Sequence, residues 1–317
     1  MIDIAVGIDI GGTNTTFGFV DKKGDSLKKV TITTDSKQGK KEYATQLAEV
    51  VKDVLKENTE FSLLGIGIGA PNGNYYNGTI EFAPNLDFEG IVPLVDLMKE
   101  HFDVPIILTN DANAAAIGEM MYGGAIGMKN FIMITLGTGV GSGIVVNGEM
   151  VYGNDGFAGE LGHSVAVANG RQCNCGRKGC LETYCSATGM VRTAFELMST
   201  FNIPSALKNY SFNNLDSKII FEEAEKGDLL AKEVFSKTGE ILGRFLSDAV
   251  NFSSPEAFFL FGGPVAAGNV LLHPVKKHFE NNILKIYKNK IKILPSELPL
   301  GDAAILGASA LVWKELE

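Results

Sequence analysis

Cysteine is scarce in this chain, with four in 317 residues. That excludes a disulfide framework and makes the cytoplasm the expected compartment. Basic clusters longer than a doublet or triplet of Lys and Arg are missing, and the net charge is -9 with a pI near 5.1. A nucleic-acid footprint is therefore not expected. No apolar run approaches the roughly 20 residues that cross a bilayer, so no membrane partner is expected either. Nor does a signal peptide open the chain: Met1 leads straight into Ile-Asp-Ile-Ala-Val-Gly-Ile-Asp, an alternating strand pattern interrupted by acids. The dinucleotide fingerprint Gly-x-Gly-x-x-Gly ahead of a helix is absent, and the run from Gly65 to Gly69 fails that test.

What is present is enough apolar material, 45% of residues, for two cores with a cleft between them. The densest chemistry lies between Gly159 and Glu182. Gly-Glu-Leu-Gly-His ends at His163, and Cys173, Cys175 and Cys180 follow among Gly, Lys and Arg. This segment is too short and polar to carry its own hydrophobic core, so something else must order it. Three thiolates and an imidazole form a Cys3His set, for which tetrahedral Zn2+ is the usual occupant. Cys185, in the start of a predicted helix, reads instead as a buried small residue. Glu160 and Glu182 flank the set. Each is either a hydrogen-bond acceptor for a polyol or a solvated surface carboxylate, and residue type alone does not choose.

Two glycine turns repeat one unit. Residues 2–20 read as a hairpin around Gly11-Gly12-Thr13-Asn14, extended by a strand over 26–33 into a meander. Residues 131–146 repeat the pattern around Gly137-Thr138-Gly139, with a further short strand after Asn147-Gly148. Such turns present successive N–H groups to an anion, and Asp9 beside the first turn makes sense with Mg2+ between carboxylate and phosphate. The duplication predicts an α/β fold that grips a nucleotide triphosphate from both sides. Helices are expected over 41–56, 92–101, 112–122, 187–199, 219–226, 229–251 and 303–314. Strands are expected over 63–70, 104–109, 257–261 and 291–294. Residues 201–217 read as an irregular surface connection. Asp111, in Asn110-Asp111-Ala-Asn113, is a helix N-cap, a ligand-facing carboxylate at a strand end, or both. Gly262-Gly263-Pro264 is either a plain strand-to-helix turn or a place where a flat ring approaches backbone.

Together these motifs resemble the ROK family (repressors, uncharacterised proteins and sugar kinases), most closely its bacterial glucokinase-like branch. The resemblance rests on Asp9-Ile-Gly-Gly-Thr13, Asn110-Asp111-Ala-Asn113, Leu136 to Gly143, Gly159-Glu-Leu-Gly-His163, Cys173-x-Cys-Gly-x-x-Gly-Cys-x-Glu182 and Gly262-Gly263. It implies an actin-like, ribonuclease H-like fold of two lobes. One would be residues 1–112 with the C-terminal helix 303–317, and the other 113–302 with the zinc loop. It implies an ATP-dependent hexose 6-kinase, glucose favoured, with kinases for N-acetylglucosamine, N-acetylmannosamine, mannose, allose or fructose as alternatives. A non-catalytic sugar-sensing regulator of the same family is the other class, disfavoured by a first strand at residue 2 and the acidic charge.

By the same resemblance, Asp111 is the catalytic base, and Asn85, Asn110, Glu160, His163 and Glu182 hold the other sugar hydroxyls. His163 also ligates Zn2+ with Cys173, Cys175 and Cys180. Gly11, Gly12, Thr13, Asn14, Gly137, Thr138 and Gly139 bind the phosphates of ATP, Asp9 holds Mg2+, and Gly262 and Gly263 border the adenine. Many members carry Lys where this chain has Asn14, which places more of the phosphate binding on backbone N–H groups. A homodimer or higher homo-oligomer is expected from the resemblance alone.

Overall fold

The computed structural model describes residues 1–316. Glu317, expected to close the C-terminal segment, lies outside the described residues. Strand β1 (Ile2–Ile10) turns through the first glycine loop into β2 (Asn14–Val20), and β3 (Ser26–Thr33) completes the predicted meander. On its other side β1 pairs in parallel with β4 (Phe61–Ala70), and β4 with β8 (Ile106–Asn110). Their order is β3-β2-β1-β4-β8. A second sheet repeats this order with β9 (Phe131–Leu136), β10 (Val140–Val146), β11 (Glu149–Met150), β12 (Ala257–Phe261) and β13 (Lys292–Pro295), running β11-β10-β9-β12-β13. In each sheet an antiparallel hairpin flanks the leading strand on one side and parallel strands flank it on the other. The duplication read from the two glycine turns is thus a duplication of topology.

Each sheet has its own core. Helix α1 (Lys40–Glu57) lays Tyr43, Ala44, Leu47, Ala48, Val51 and Val54 on the first, an apolar stripe at helical spacing. The second sheet is covered by α4 (Glu182–Cys185), α5 (Ala187–Thr200), α6 (Ser217–Glu225), α7 (Leu229–Ser253) and α8 (Asn269–Asn282). Helix α8 escapes sequence reading because Pro274 interrupts its pattern. Pro274 is accommodated where Gly239 of α7 leaves room, since a Cβ there would lie 2.7 Å from the proline ring. Residues 201–217, expected to be an irregular surface connection, contain a 3-10 turn at Ala206–Asn209 and, at Ser217, the start of α6, and Leu207 and Leu215 anchor the segment in the second core.

A small sheet of β5 (Gly73–Asn74), β6 (Thr79–Glu81) and β7 (Ile91–Val92) precedes α2 (Leu94–Lys99). That helix is shorter than the predicted 92–101, because Val92 pairs in β7 and Pro93, which has no N–H to donate, separates strand from helix.

Helices α3 (Asp111–Tyr122) and α9 (Ala303–Glu315) pack on each other, and α9 also covers β1 and β4, as the sequence predicts. The contact is backbone on backbone. A Cβ on Gly7 of β1 would lie 2.0 Å from the Ile305 carbonyl oxygen, and one on Gly67 of β4 would lie 1.8 Å from that of Ala308. Where α3 meets α9, Gly118 faces the Gly307 Cα in the same way. The glycines of the β1 and β4 strands are therefore the seat of a helix and not a nucleotide fingerprint.

This contact predicts the outcome of adding one methyl group. Gly7→Ala should cost about 1–3 kcal/mol or more, since backbone cannot move aside as a side-chain tip can. Gly301→Ala, where nothing lies within 4 Å, should be close to neutral. Urea unfolding of the two variants checks the difference.

Candidate active site

Sheet register brings the first set of residues together. Asp9 lies across from Gly69, and Gly69 across from Thr109, so Asp9 of β1 shares an edge with the end of β8, where Asn110 and Asp111 follow. The helix N-cap falls to Asn110, whose Oδ1 accepts from the Ala112 N–H at 2.8 Å. Asp111 is instead the first residue of α3, and its Oδ1 accepts from the same N–H at 2.8 Å. Asp111 keeps solvent-exposed surface, yet its carboxyl is closely surrounded by protein. That burial raises its carboxyl above the usual 3.8, against the lowering effect of backbone hydrogen bonds. Asp9 is pushed up to about 6, by burial first and by the charge of Asp111 second. Two partly desolvated carboxylates at one sheet edge, one of them raised by the charge of the other, are suited to a cation or a proton transfer.

The two glycine turns are built alike. In the first, the Gly11 carbonyl accepts from Thr34 Oγ1 at 2.8 Å and the Thr13 carbonyl from the Thr34 N–H at 2.8 Å. In the second, the Gly137 carbonyl accepts from the Ala187 N–H at 2.8 Å and the Thr138 carbonyl from Thr188 Oγ1 at 2.9 Å. Carbonyls are thus held from behind. The N–H groups of Gly12, Thr13, Thr138 and Gly139 have no acceptor among the described residues, an arrangement suited to an anion. Asn14 begins β2, with its side chain exposed. Gly12 backs onto Asn85, whose carbonyl oxygen would lie 2.7 Å from a Cβ there. Gly262 (φ 114°) abuts Leu136, where a Cβ would lie 2.1 Å from the carbonyl oxygen, and Gly263 starts a 3-10 turn. The strand end at β12 therefore adjoins the second turn.

The cysteine loop is tied to the same region. A bridge between Val165 and Cys180, with the Leu181 N–H donating to the Ser164 carbonyl at 2.9 Å, lays the segment after His163 alongside that leading into Glu182. The donor atoms of His163, Cys173, Cys175 and Cys180 all lie within 4.8 Å of one another. Cys175 Sγ and Cys180 Sγ are 3.6 Å apart, and Cys173 Sγ is 3.7 Å from His163 Nδ1. A tetrahedron with metal–sulfur bonds of about 2.3 Å has edges of about 3.8 Å, so the set fits a tetrahedral cation. Burial and the neighbouring Cys175 thiol push Cys180 up to about 12. Such crowded thiols become anionic together only around a cation. Cys185 stands apart, fully buried, with its Sγ 3.8 Å from the Thr238 carbonyl.

Glu182 links the parts. Its Oε2 accepts from the Val140 N–H at 3.1 Å, just past the second turn, while Oε1 lies 3.7 Å from Cys173 Sγ. Glu160, exposed at its surface, is raised by burial, with His163 lowering and Asp111 and Glu182 raising it. Glu160 is thereby within electrostatic reach of both Asp111 and Glu182.

Two supporting residues carry no sequence signal. Arg171 is buried beneath the cysteine loop. It donates to the Thr183 and Gly189 carbonyls at 2.6 and 3.0 Å, pairs with Glu196 and lies over the Tyr184 ring. Ser142 Oγ donates to the Gly159 carbonyl and accepts from the Leu161 N–H, fixing the Gly-Glu-Leu-Gly-His segment to β10. A lone Arg and a strand Ser look like any other until the chain is folded.

Comparison with known proteins agrees with this arrangement. The ROK family model matches residues 5–315. A glucokinase from Halalkalibacterium halodurans is 36% identical over 98% of this chain and 95% of its own. One from Thermotoga maritima is 33% identical over 98% of both. Among solved structures, a ROK family glucokinase from Streptomyces griseus in complex with glucose and AMPPNP is 31% identical, with a TM-score of 0.80 over 98% of this chain and 99% of that one.

The packing of Glu182 predicts one separable effect. A Cβ on Gly139 would lie 2.3 Å from Glu182 Oε2, the tip of a flexible side chain. Gly139→Ala should therefore cost no more than about 1 kcal/mol in stability while moving the carboxylate off the Val140 N–H. Thermal unfolding and a crystal structure of the variant check both halves.

Proposed function

The chain belongs to the ROK family, and from that premise we propose that it is an ATP-dependent hexose kinase. It transfers the γ-phosphoryl group of ATP to the 6-hydroxyl of a hexose, with glucose preferred. The observation that carries this reading is the convergence of Asp9, Asp111, both glycine turns and the Glu160–His163–Glu182 group, in a chain that matches glucokinases along nearly its full length. The actin-like, two-lobed fold is that of its relatives. We take residues 1–112 with 303–317 as one lobe and 113–302 as the other.

Within the cleft, Asp111 receives the proton of the 6-hydroxyl. Its raised pKa brings it nearer to neutrality than an ordinary aspartate, which suits a base that takes the proton late in transfer. Asn85, Asn110, Glu160, His163 and Glu182 hold the remaining hydroxyls. With His163 Nδ1 towards the cysteines, Nε2 is left for the sugar, and a fixed ring orientation follows. Gly11 to Asn14 and Gly137 to Gly139 receive the phosphates, and Gly262 and Gly263 border the adenine. Mg2+ held by Asp9 would neutralise charge on the phosphates. His163, Cys173, Cys175 and Cys180 would hold a structural Zn2+, which would keep Glu182 and His163 on one rigid support. Closure of the lobes excludes water, so that the hexose accepts the phosphoryl group. Among the described residues no helix is long and apolar enough to cross a membrane. A cytoplasmic homo-oligomer belongs to the same reading.

The test is ADP release with Mg-ATP across glucose, N-acetylglucosamine, N-acetylmannosamine, mannose, allose and fructose. Glucose should rank first, and no turnover with any of the six would overturn the proposal. Asp111→Ala should lower kcat by about 10²–10⁴ while glucose binding by calorimetry stays near wild type. Since the base works ionised and its pKa is raised, kcat/KM for the sugar should fall with decreasing pH along a limb that begins above the ordinary aspartate value of 3.8.

Elemental analysis should find one zinc per chain. Cys180→Ser should lose it, whereas Cys185→Ser should keep both metal and turnover. Protein purified without added metal that contained no zinc would remove the structural site.

A further inference from the structure

One cluster near this site has no part in the reaction as described. Asn74, Tyr75 and Tyr76 follow β4 in the first unit, and Tyr152 to Gly156 precede Glu160 in the second. Tyr75 and Tyr152 stack with ring centroids 4.0 Å apart and planes 5° from parallel. Tyr76 meets Tyr152 edge-on at 6.0 Å, and its hydroxyl donates to the Gly153 carbonyl at 2.8 Å. Asn74 is 1% exposed. Its Nδ2 donates to the Asp155 carbonyl at 2.8 Å, and its Oδ1 accepts from the Tyr76 and Asn77 N–H groups at 3.0 and 3.3 Å. Gly156 (φ 90°) lies so close that a Cβ would meet Asn74 Oδ1 at 2.5 Å.

The far side of this cluster reaches the base. The Tyr152 phenol lies close to the Thr109 side chain, two residues before Asp111; burial raises its pKa and Thr109 lowers it. Thr109 in turn accepts from Asn113 Nδ2 at 3.3 Å on α3. A Cβ on Gly73 would lie 2.4 Å from the Thr109 carbonyl oxygen, so the segment leading into Asn74 is pressed against β8. Downstream, the segment from Tyr152 to Glu160 is fixed at its other end by Ser142 to the Gly159 carbonyl. Segment 152–160 thus has two supports, one from each sheet, with Glu160 at its end.

We propose that Asn74, Tyr75, Tyr76 and Tyr152 form a clasp between the two units that positions Glu160 relative to Asp111, and so sets sugar affinity independently of ATP affinity. These are positioning residues, not catalytic ones. Two stacked rings and two hydrogen bonds to backbone carbonyls fix a backbone segment more closely than apolar packing alone, because each is directional. The phosphate turns are held by Thr34, Ala187 and Thr188, none of which belongs to the clasp. A fault in the clasp should therefore reach the sugar and leave the nucleotide undisturbed.

The proposal rests on the sugar-kinase reading, and the experiment separates the two. Sugar KM, ATP KM and glucose Kd by calorimetry are measured for the full chain and for Tyr152→Ala, Tyr152→Phe and Tyr76→Phe. Tyr152→Ala should raise sugar KM and Kd about tenfold or more with ATP KM near wild type. Tyr152→Phe, which keeps the stack, should restore most of that loss. Tyr76 is 56% exposed, so Tyr76→Phe removes only the bond to Gly153 without threatening the fold, and should weaken sugar binding by about two- to fivefold. Sugar KM and Kd unchanged in Tyr76→Phe and in Tyr152→Ala would overturn the clasp, as would equal rises in both substrates' KM. Wild-type protein that binds glucose but turns over no sugar would instead overturn the kinase reading, with glucose Kd still deciding the clasp. Wild-type protein that binds no sugar would overturn both.

Discussion

A glycine turn can offer its N–H groups to an anion only if its carbonyl oxygens are engaged elsewhere, because the two kinds of group alternate along the backbone and an exposed carbonyl repels a phosphate. This chain meets that constraint twice, with different parts. Thr34 holds the first turn, and is itself held in a buried chain of hydroxyls in which Thr15 contacts Thr34 at 2.8 Å and Tyr43 at 3.0 Å. The second turn leans on the junction of α4 and α5 through Ala187 and Thr188. Glu182 begins α4 and Ala187 begins α5, so the carboxylate assigned to the sugar and the support of the second turn sit on one α4–α5 segment that bends at Ser186. Cys180 and Leu181 lead into that piece, and Arg171 pins its far side. The order of the cysteine loop is in this way the order of the second turn.

How much of this could be read from the chain depends on how far apart the partners are. The glycine turns, the meander and the Cys3His set are local: the residues that meet are a few positions apart, or are marked by types that rarely cluster. The grouping of α9 with the first sheet came with the family resemblance, and the packing of α9 on β1 and β4 agrees with it. Its seat on Gly7 and Gly67 was not legible, because glycine in a strand suggests a bend or a ligand before it suggests a helix backbone. Pro274 hid α8 by imitating a helix end. Asp111 read as the helix cap, and only the backbone angles and side-chain bond of Asn110 give that place to the residue before it. The aromatic cluster at Tyr75 and Tyr152 had no signature, since 77 positions separate Tyr75 from Tyr152 and each lies in an unremarked turn.

The repeated sheets also show where a duplicated fold stops being symmetric. Asp9 ends β1 beside the first turn, but the corresponding place in β9 holds Thr135, whose hydroxyl accepts from the Gly141 N–H at 3.2 Å. One half keeps a carboxylate there and the other uses its side chain to close its own hairpin. The cysteine loop likewise has no counterpart in the first unit. Function is placed on differences between the halves, and the shared topology supplies the edge at which those differences meet.

The seat of α9 governs the order in which the molecule can form. Gly7 and its contact Ile305 are 298 positions apart, taking 305 minus 7. A ribosome adding about 5–20 residues per second needs on the order of 15–60 s to span that gap. Throughout that interval the glycine-lined face of β1 and β4 has no cover, and α3 lacks the helix that packs along Ala114 and Gly118. The nascent chain can build its first sheet and bury α1 early, but α3, with the carboxylate at its head, gains its packing partner only once α9 has been made. A fold whose first strands are seated only by a helix made so much later has a built-in delay between forming its first sheet and completing the packing around it.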